Sequence, residues 1–249
     1  MPNLLDDPQA FVRQHYLDFL SREPDPVGWD YWTNQITDCP PLDTACVLSR
    51  RIGVSGAFFI ELEFQETGNF VYRFYKSSLG RQPIFAEFTP DRAQVVGGPN
   101  LEASKQSFAD AWVQRTEFLQ RYSANLSGTQ FIDALLQTVQ QSSGVDLSPQ
   151  RPTLVADWNA NGSRARIVRL VADTPAFGQE EYNTAFVLMQ YFGYLRRDPD
   201  VVGYTFWLNV LNNREPNNYR GMVCSFITAA EYQLRFSSVV THTNAECAP

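Results

Sequence analysis

Chemistry at neutral pH needs a base, a nucleophile or a metal, and this sequence is sparing with all three. Histidine occurs twice, as His15 and His242. A Ser-His-Asp or Cys-His arrangement needs one of them as its base, and no nucleophile-elbow sequence is present. Carboxylate pairs could run glycoside hydrolysis without histidine. Glu61, Glu63, Glu66, Asp110, Glu117, Glu180, Glu181 and Glu231 are the candidates. Most fall on solvated helix faces. Glu63 and Glu231 stand beside aromatic residues at matching positions of a repeat, where pairing with Arg22 or Arg197 outweighs chemistry. Asp157, Asn159 and Asn161, followed by Gly162, spell the first half of a calcium loop, D-x-N-x-N-G. Its twelfth position is Val168, where the bidentate Glu belongs. A polar turn between helices, with Asn161 or Gly162 left-handed, uses the same residues without a cation. Calcium is therefore the one weak cofactor candidate, and no catalytic residue is assigned.

Five tryptophans could stack on sugars or hold a partner: Trp29, Trp32, Trp112, Trp158 and Trp207. Trp32 and Trp207 belong to the repeat and are expected in the core. Trp29 lies next to a turn and Trp158 in a loop, so exposure of both would favour ligand binding over packing.

Four cysteines allow three pairings. The local ones are natural: Cys39 with Cys46, which flank Pro40-Pro41, and Cys224 with Cys247 in the tail beyond its helix. Loops of these lengths would stabilise by about 2–3.5 kcal/mol in the chain-entropy model. The alternative is four free thiols; zinc is disfavoured because no C-x-x-C spacing occurs. Disulfides imply an oxidising compartment. The balance of 20 basic against 27 acidic residues gives a net charge of −7, and the only lysines are Lys76 and Lys105. No basic run exists to neutralise phosphates or anionic lipid, which argues against nucleic-acid and membrane-surface partners. No apolar run approaches a membrane span. The first eight residues lack the basic and apolar regions of a signal peptide, so an exported protein would be represented here by a mature form or an excised part.

The elements that must position these residues repeat. Phe11-Val12, Tyr16, Leu20, Arg22, Pro24-Asp25, Gly28, Tyr31-Trp32 and Asn34 return 175 residues later as Phe186-Val187, Tyr191, Leu195, Arg197, Pro199-Asp200, Gly203, Phe206-Trp207 and Asn209. A partial copy, Phe70-Val71, Tyr75, Leu79, Arg81 and Pro83, is offset by 59 and then departs. At the position of His15 the copies carry Phe74 and Gln190, a swap that suits packing. A second element recurs around Glu63-Phe64-Gln65, Glu117-Phe118 and Glu231-Tyr232-Gln233.

The first unit encodes a helical hairpin. Phe11, Val12, Tyr16, Phe19 and Leu20 form one apolar stripe. Pro24 stops that helix, Asp25 caps the next, and Pro26 suits its first position. Gly28 lets the helices approach, and Tyr31 and Trp32 are expected to bury against the stripe. Arg22, Asp25, Gly28 and Trp32, with Arg197, Asp200, Gly203 and Trp207, are thus the structural motif.

Further helices are expected over 52–66, 102–123, 129–142, 163–173, 178–195, 203–212 and 220–236. Gln82–Asn100 reads as a long loop, and polar turns fall at Ser142–Gly144 and Asn159–Ser163. The fold class is all-α: a single helical domain, 1–249, of repeated helix-turn-helix units with long loops, the units near 8–68, 69–142 and 163–240.

Leu-x-Arg-Glu-Pro-Asp-x-x-Gly-x-x-Tyr-Trp at 20–32, its copy at 195–207 and Phe-Ile-x-x-x-Glu-Tyr at 226–232 resemble a bacterial domain of unknown function found in secreted and cell-surface proteins. That family is related to the phycobilisome linker domain superfamily. The resemblance implies an all-helical fold, an exported and often multidomain parent, and a scaffold role through contact with a protein partner or neighbouring domains. The expected function is a non-enzymatic structural or protein-interaction module, extracellular or at the cell surface. A carbohydrate-binding module is the alternative, and a carboxylate-based hydrolase stands third.

Overall fold

The computed structural model describes residues 3–247; residues 1, 2, 248 and 249 of the expected 1–249 domain lie outside the described residues. The described residues are all-α, with no strand among them. They fall into two compact units, Met1–Phe64 with Phe186–Pro249, and Gln65–Ala185. The first unit gathers the two full motif copies, although 175 residues separate them. These boundaries follow packing, so they cut across the 8–68, 69–142 and 163–240 divisions that sequence similarity draws.

In the first unit, helix Pro8–His15 runs into a π-helical turn, Tyr16–Leu20, and stops at Ser21, which is left-handed (φ 52°). Asp25 then caps helix Pro26–Thr37, and Asp43 caps helix Thr44–Ile60. Between them the Cys39–Cys46 disulfide closes the turn. The second copy repeats the course. Helix Tyr182–Gln190 enters the π-helical turn Tyr191–Leu195, stops at left-handed Arg196 (φ 54°), and is followed by helix Val201–Asn209 under the Asp200 cap. Helices Tyr219–Ile227 and Ala230–Gln233 complete the unit, and the Cys224–Cys247 disulfide ties down the tail. The core is aromatic: Phe19 meets Tyr194 at 5.0 Å between ring centroids, Phe59 meets Phe186 at 4.7 Å, and Tyr194 meets Tyr232 at 5.0 Å. The two π-helical turns come together where a side chain on Gly193 would strike the Phe19 ring.

In the second unit, helix Gly68–Phe74 enters the same kind of π-helical turn, Tyr75–Leu79, and stops at left-handed Gly80 (φ 72°). Helices Leu101–Trp112, Gly128–Ser143 and Arg164–Ala172 supply most of the remaining core, in which Phe70, Phe108, Phe131 and Ile167 are fully buried.

Several local expectations change. The helices expected over 52–66 and 220–236 are each interrupted, at Glu61 and at Thr228–Ala229, and Trp158, expected in a loop, lies in helix Arg151–Asn161. The loop expected over Gln82–Asn100 contains helix Phe85–Arg92: Glu87 accepts the free N–H of Ile84 (3.1 Å) and Phe88 is buried, which outweighs Pro90 inside the helix. The helix expected over 102–123 breaks after Trp112 and resumes at Thr116–Arg121. Helix Arg151–Asn161 occupies a stretch expected to end in a turn from Asn159; only Gly162, left-handed at φ 63°, turns the chain. Tyr31 is exposed, because it lies on the outer side of the helix whose inner side carries half-buried Trp32.

Candidate functional site

The motif arginines hold the fold. Arg22 forks onto Glu63, Nε to Oε1 at 2.7 Å and Nη2 to Oε2 at 2.6 Å, while Nη1 donates to the Glu23 carbonyl. Arg197 repeats this on Glu231 at 2.6 and 3.0 Å and donates to the Asp198 carbonyl. Arg81 forks onto Glu117 at 2.8 and 2.7 Å and donates to the Gln82 carbonyl, and it also binds both oxygens of Glu87 at 2.8 and 2.9 Å. Each guanidinium covers a tyrosine ring, Tyr16, Tyr191 and Tyr75 respectively, 4.8–5.4 Å from the centroid. The left-handed residue just before each arginine aims it there. Asp25 and Asp200 accept from Gly28 N (2.8 Å) and Gly203 N (2.7 Å). A Cβ at either glycine would collide with the Tyr16 or Tyr191 hydroxyl. The partial copy lacks this glycine helix; Tyr75 instead donates to Asp91 (2.6 Å), which Arg115 binds through both oxygens.

The residues that could do chemistry are spent elsewhere. His15 is fully buried between the Phe11 carbonyl (2.8 Å) and the Ser55 hydroxyl (2.6 Å), and burial pushes its pKa down to about 4. Ser55 also bonds the Tyr194 hydroxyl. This buried Ser-His contact went unread in the sequence, since nothing in the spacing of residues 15 and 55 marks it. It is sealed from solvent. His242 lies between Glu246 (2.8 Å) and Asp6 (3.3 Å) and joins the tail to the N-terminal segment. Among the carboxylates, Arg81 holds Glu117 below the usual range. Burial raises Glu181, which accepts from Tyr72 (2.5 Å) and faces Lys76 (3.5 Å).

Asp157, Asn159 and Asn161 lie on one helix, where Asp157 and Asn161 share a face and Asn159 points away from it. The Asp157 carboxylate is taken by Arg166 (2.8 and 2.9 Å), which lowers its pKa, and Asn161 donates to the Asp157 carbonyl (3.1 Å). Among the described residues, no group of three or more His, Cys, Asp or Glu is placed to hold a metal ion.

The tryptophans are anchored. Trp29 donates to the Gln9 carbonyl (3.0 Å), Trp112 is buried and donates to Ser78 (2.9 Å), and Trp158 fills the space over Gly128 beside Phe131. Trp32 packs 5.8 Å from Phe58, and Trp207 packs 6.0 Å from Phe226.

What the motif leaves outward is apolar, and at the same positions in both copies. Val27 and Val202 are each 80% exposed; Tyr31 is 55% and Phe206 47% exposed. Val201 adds to the second face at 81%. Around Phe206 the surface is concave: a 370 Å³ depression lies between Val201, Val202 and Arg214, and an 820 Å³ groove runs past Trp207, Val210, Leu48 and Ile52. The matching of Val27 with Val202 and of Tyr31 with Phe206 is visible in the repeat, but the sequence shows apolar character without its direction. No helix among the described residues is long and apolar enough to cross a membrane. Compared with protein-family models, curated proteins and solved structures, the chain matches none.

Proposed function

We propose that the chain is a non-enzymatic docking module of an exported bacterial protein, and that the outer faces of helices Pro26–Thr37 and Val201–Asn209 meet its partner. One observation carries this: each full motif spends its arginine, aspartate, glycine and tryptophan on the fold while leaving a valine and an aromatic side chain in water at equivalent positions. Exposed apolar groups on a duplicated element are what an interface core requires. The two disulfides agree with an oxidising compartment. The resemblance to the domain related to phycobilisome linkers supports contact between proteins over catalysis. Sugar stacking is the weaker reading, since Trp29 and Trp158 are packed in place.

A photo-cross-linking amino acid at position 31 or 206 tests the proposal in the producing cell. Both positions should yield defined protein adducts, and a control at exposed Asp110 should yield none. Adducts at neither position above that control would refute it.

A further inference from the structure

The two outward faces differ in charge, and each supplies what the other lacks. On the first helix, Val27, Asp30, Tyr31, Asn34 and Asp38 are all exposed. Their spacing of i, i+3, i+4, i+7 and i+11 puts them on one stripe. Asp30 and Asp38 have no ion pair and no side-chain hydrogen bond among the described residues. The concave surface around Phe206 carries Arg214 and Arg220. Arg214 lies over the Phe206 ring at 5.9 Å, and Arg220 donates to the Ser49 carbonyl and hydroxyl (3.1 and 3.2 Å). Neither has a carboxylate within ion-pair distance among the described residues, whereas Arg13, Arg22, Arg73, Arg81, Arg115 and Arg197 all do. The groove also carries Glu215, which accepts from the Asn218 amide, and Glu246, which accepts from the Thr243 N–H and meets His242; neither reaches Arg214 or Arg220 as an ion pair among the described residues. The apolar depression beside Phe206 has Arg214 as its one charged lining residue among the described residues, and Arg220 in the adjoining groove is a second cation without a carboxylate partner.

We infer that the partner includes a second copy of this chain, whose helix Pro26–Thr37 seats Val27 and Tyr31 in the depressions beside Phe206 and brings Asp30 and Asp38 to Arg214 and Arg220. This rests on the docking role proposed above and names the occupant. Because stripe and groove are different patches, the contact is head-to-tail, so each copy offers one free stripe and one free groove and assembly continues beyond two. The attraction is between exposed charges and weakens with salt.

Sedimentation of the full chain over a wide concentration range tests this. The mass-average should rise to at least twice that of one chain and fall back in high salt. Asp30→Arg/Asp38→Arg and Arg214→Asp/Arg220→Asp variants, both altered only at exposed positions, should each remain monomeric alone. Mixed one to one, they should assemble again, because the intact stripe meets the intact groove and the reversed stripe meets the reversed groove. A wild-type chain that stays monomeric at every concentration overturns the inference, as does a variant that assembles alone or a mixture that does not pair. Cross-links from positions 31 and 206 to a different protein, with the wild type monomeric, would sink self-docking and leave the docking role standing.

Discussion

At the scale of residues, the motif works by excluding one methyl group and pairing one arginine. Gly28 and Gly203 sit against tyrosine hydroxyls with no room for a Cβ. Gly28→Ala gains up to about 1 kcal/mol of helix propensity but overpacks by about 1–3 kcal/mol. The expected result is a net loss of stability in chemical denaturation that shrinks in a Tyr16→Phe background, since the colliding atom is then gone. Equal losses in both backgrounds would show that the hydroxyl is not the obstacle. The Arg–Glu forks were legible as a pairing because Arg22 and Glu63, and Arg197 and Glu231, recur together. Their use of the preceding tyrosine ring as a bed was not, since the left-handed residue that aims each arginine is Ser21, Gly80 or Arg196, three types with no common sequence signal.

At the scale of elements, caps and stops were the most readable features. Pro24, Asp25 and Pro26 mark a helix boundary by their chemistry alone, and the chain stops and restarts there. Helix Phe85–Arg92 escaped because Pro90 and the flanking glycines read as loop, while the burial of Phe88 that holds the helix is a tertiary effect. The π-helical turns were equally hidden, since Tyr16–Leu20, Tyr75–Leu79 and Tyr191–Leu195 read as ordinary continuations of the helices before them. The tail is the element held most visibly by covalent means. Cys224 is buried and Cys247 lies 23 residues on. Removing this disulfide with a Cys224→Ala/Cys247→Ala pair should cost about 3 kcal/mol. Calorimetry should show a lower melting temperature, and an unchanged one would mean that the hydrogen bonds of Gln233 and His242 hold the tail unaided.

At the scale of the whole molecule, the buried polar core sets the response to acid. His15 is neutral in the fold, with its pKa near 4 against an ordinary 6.5. The unfolded chain therefore binds the extra proton first as pH falls. His15 contributes stability that is complete above about pH 6.5 and is lost as pH drops toward 4, at up to about 1.4 kcal/mol per pH unit. Asp18 and Glu181, raised by burial, act in the opposite sense. His15→Gln, the residue found at the matching position 190, should flatten the slope of stability between pH 6.5 and 4; a slope identical to wild type would contradict the burial of a neutral ring.

Neighbouring residues divide the labour: Trp32 and Trp207 pack against the molecule, while Tyr31 and Phe206 stand exposed, where the proposed docking role needs them. Denaturant unfolding of two double variants compares them directly. Trp32→Ala/Trp207→Ala should lower stability by several kcal/mol, and Tyr31→Ser/Phe206→Ser by less than about 1 kcal/mol. A loss for the Tyr31/Phe206 pair equal to or greater than that for the tryptophan pair would contradict the account.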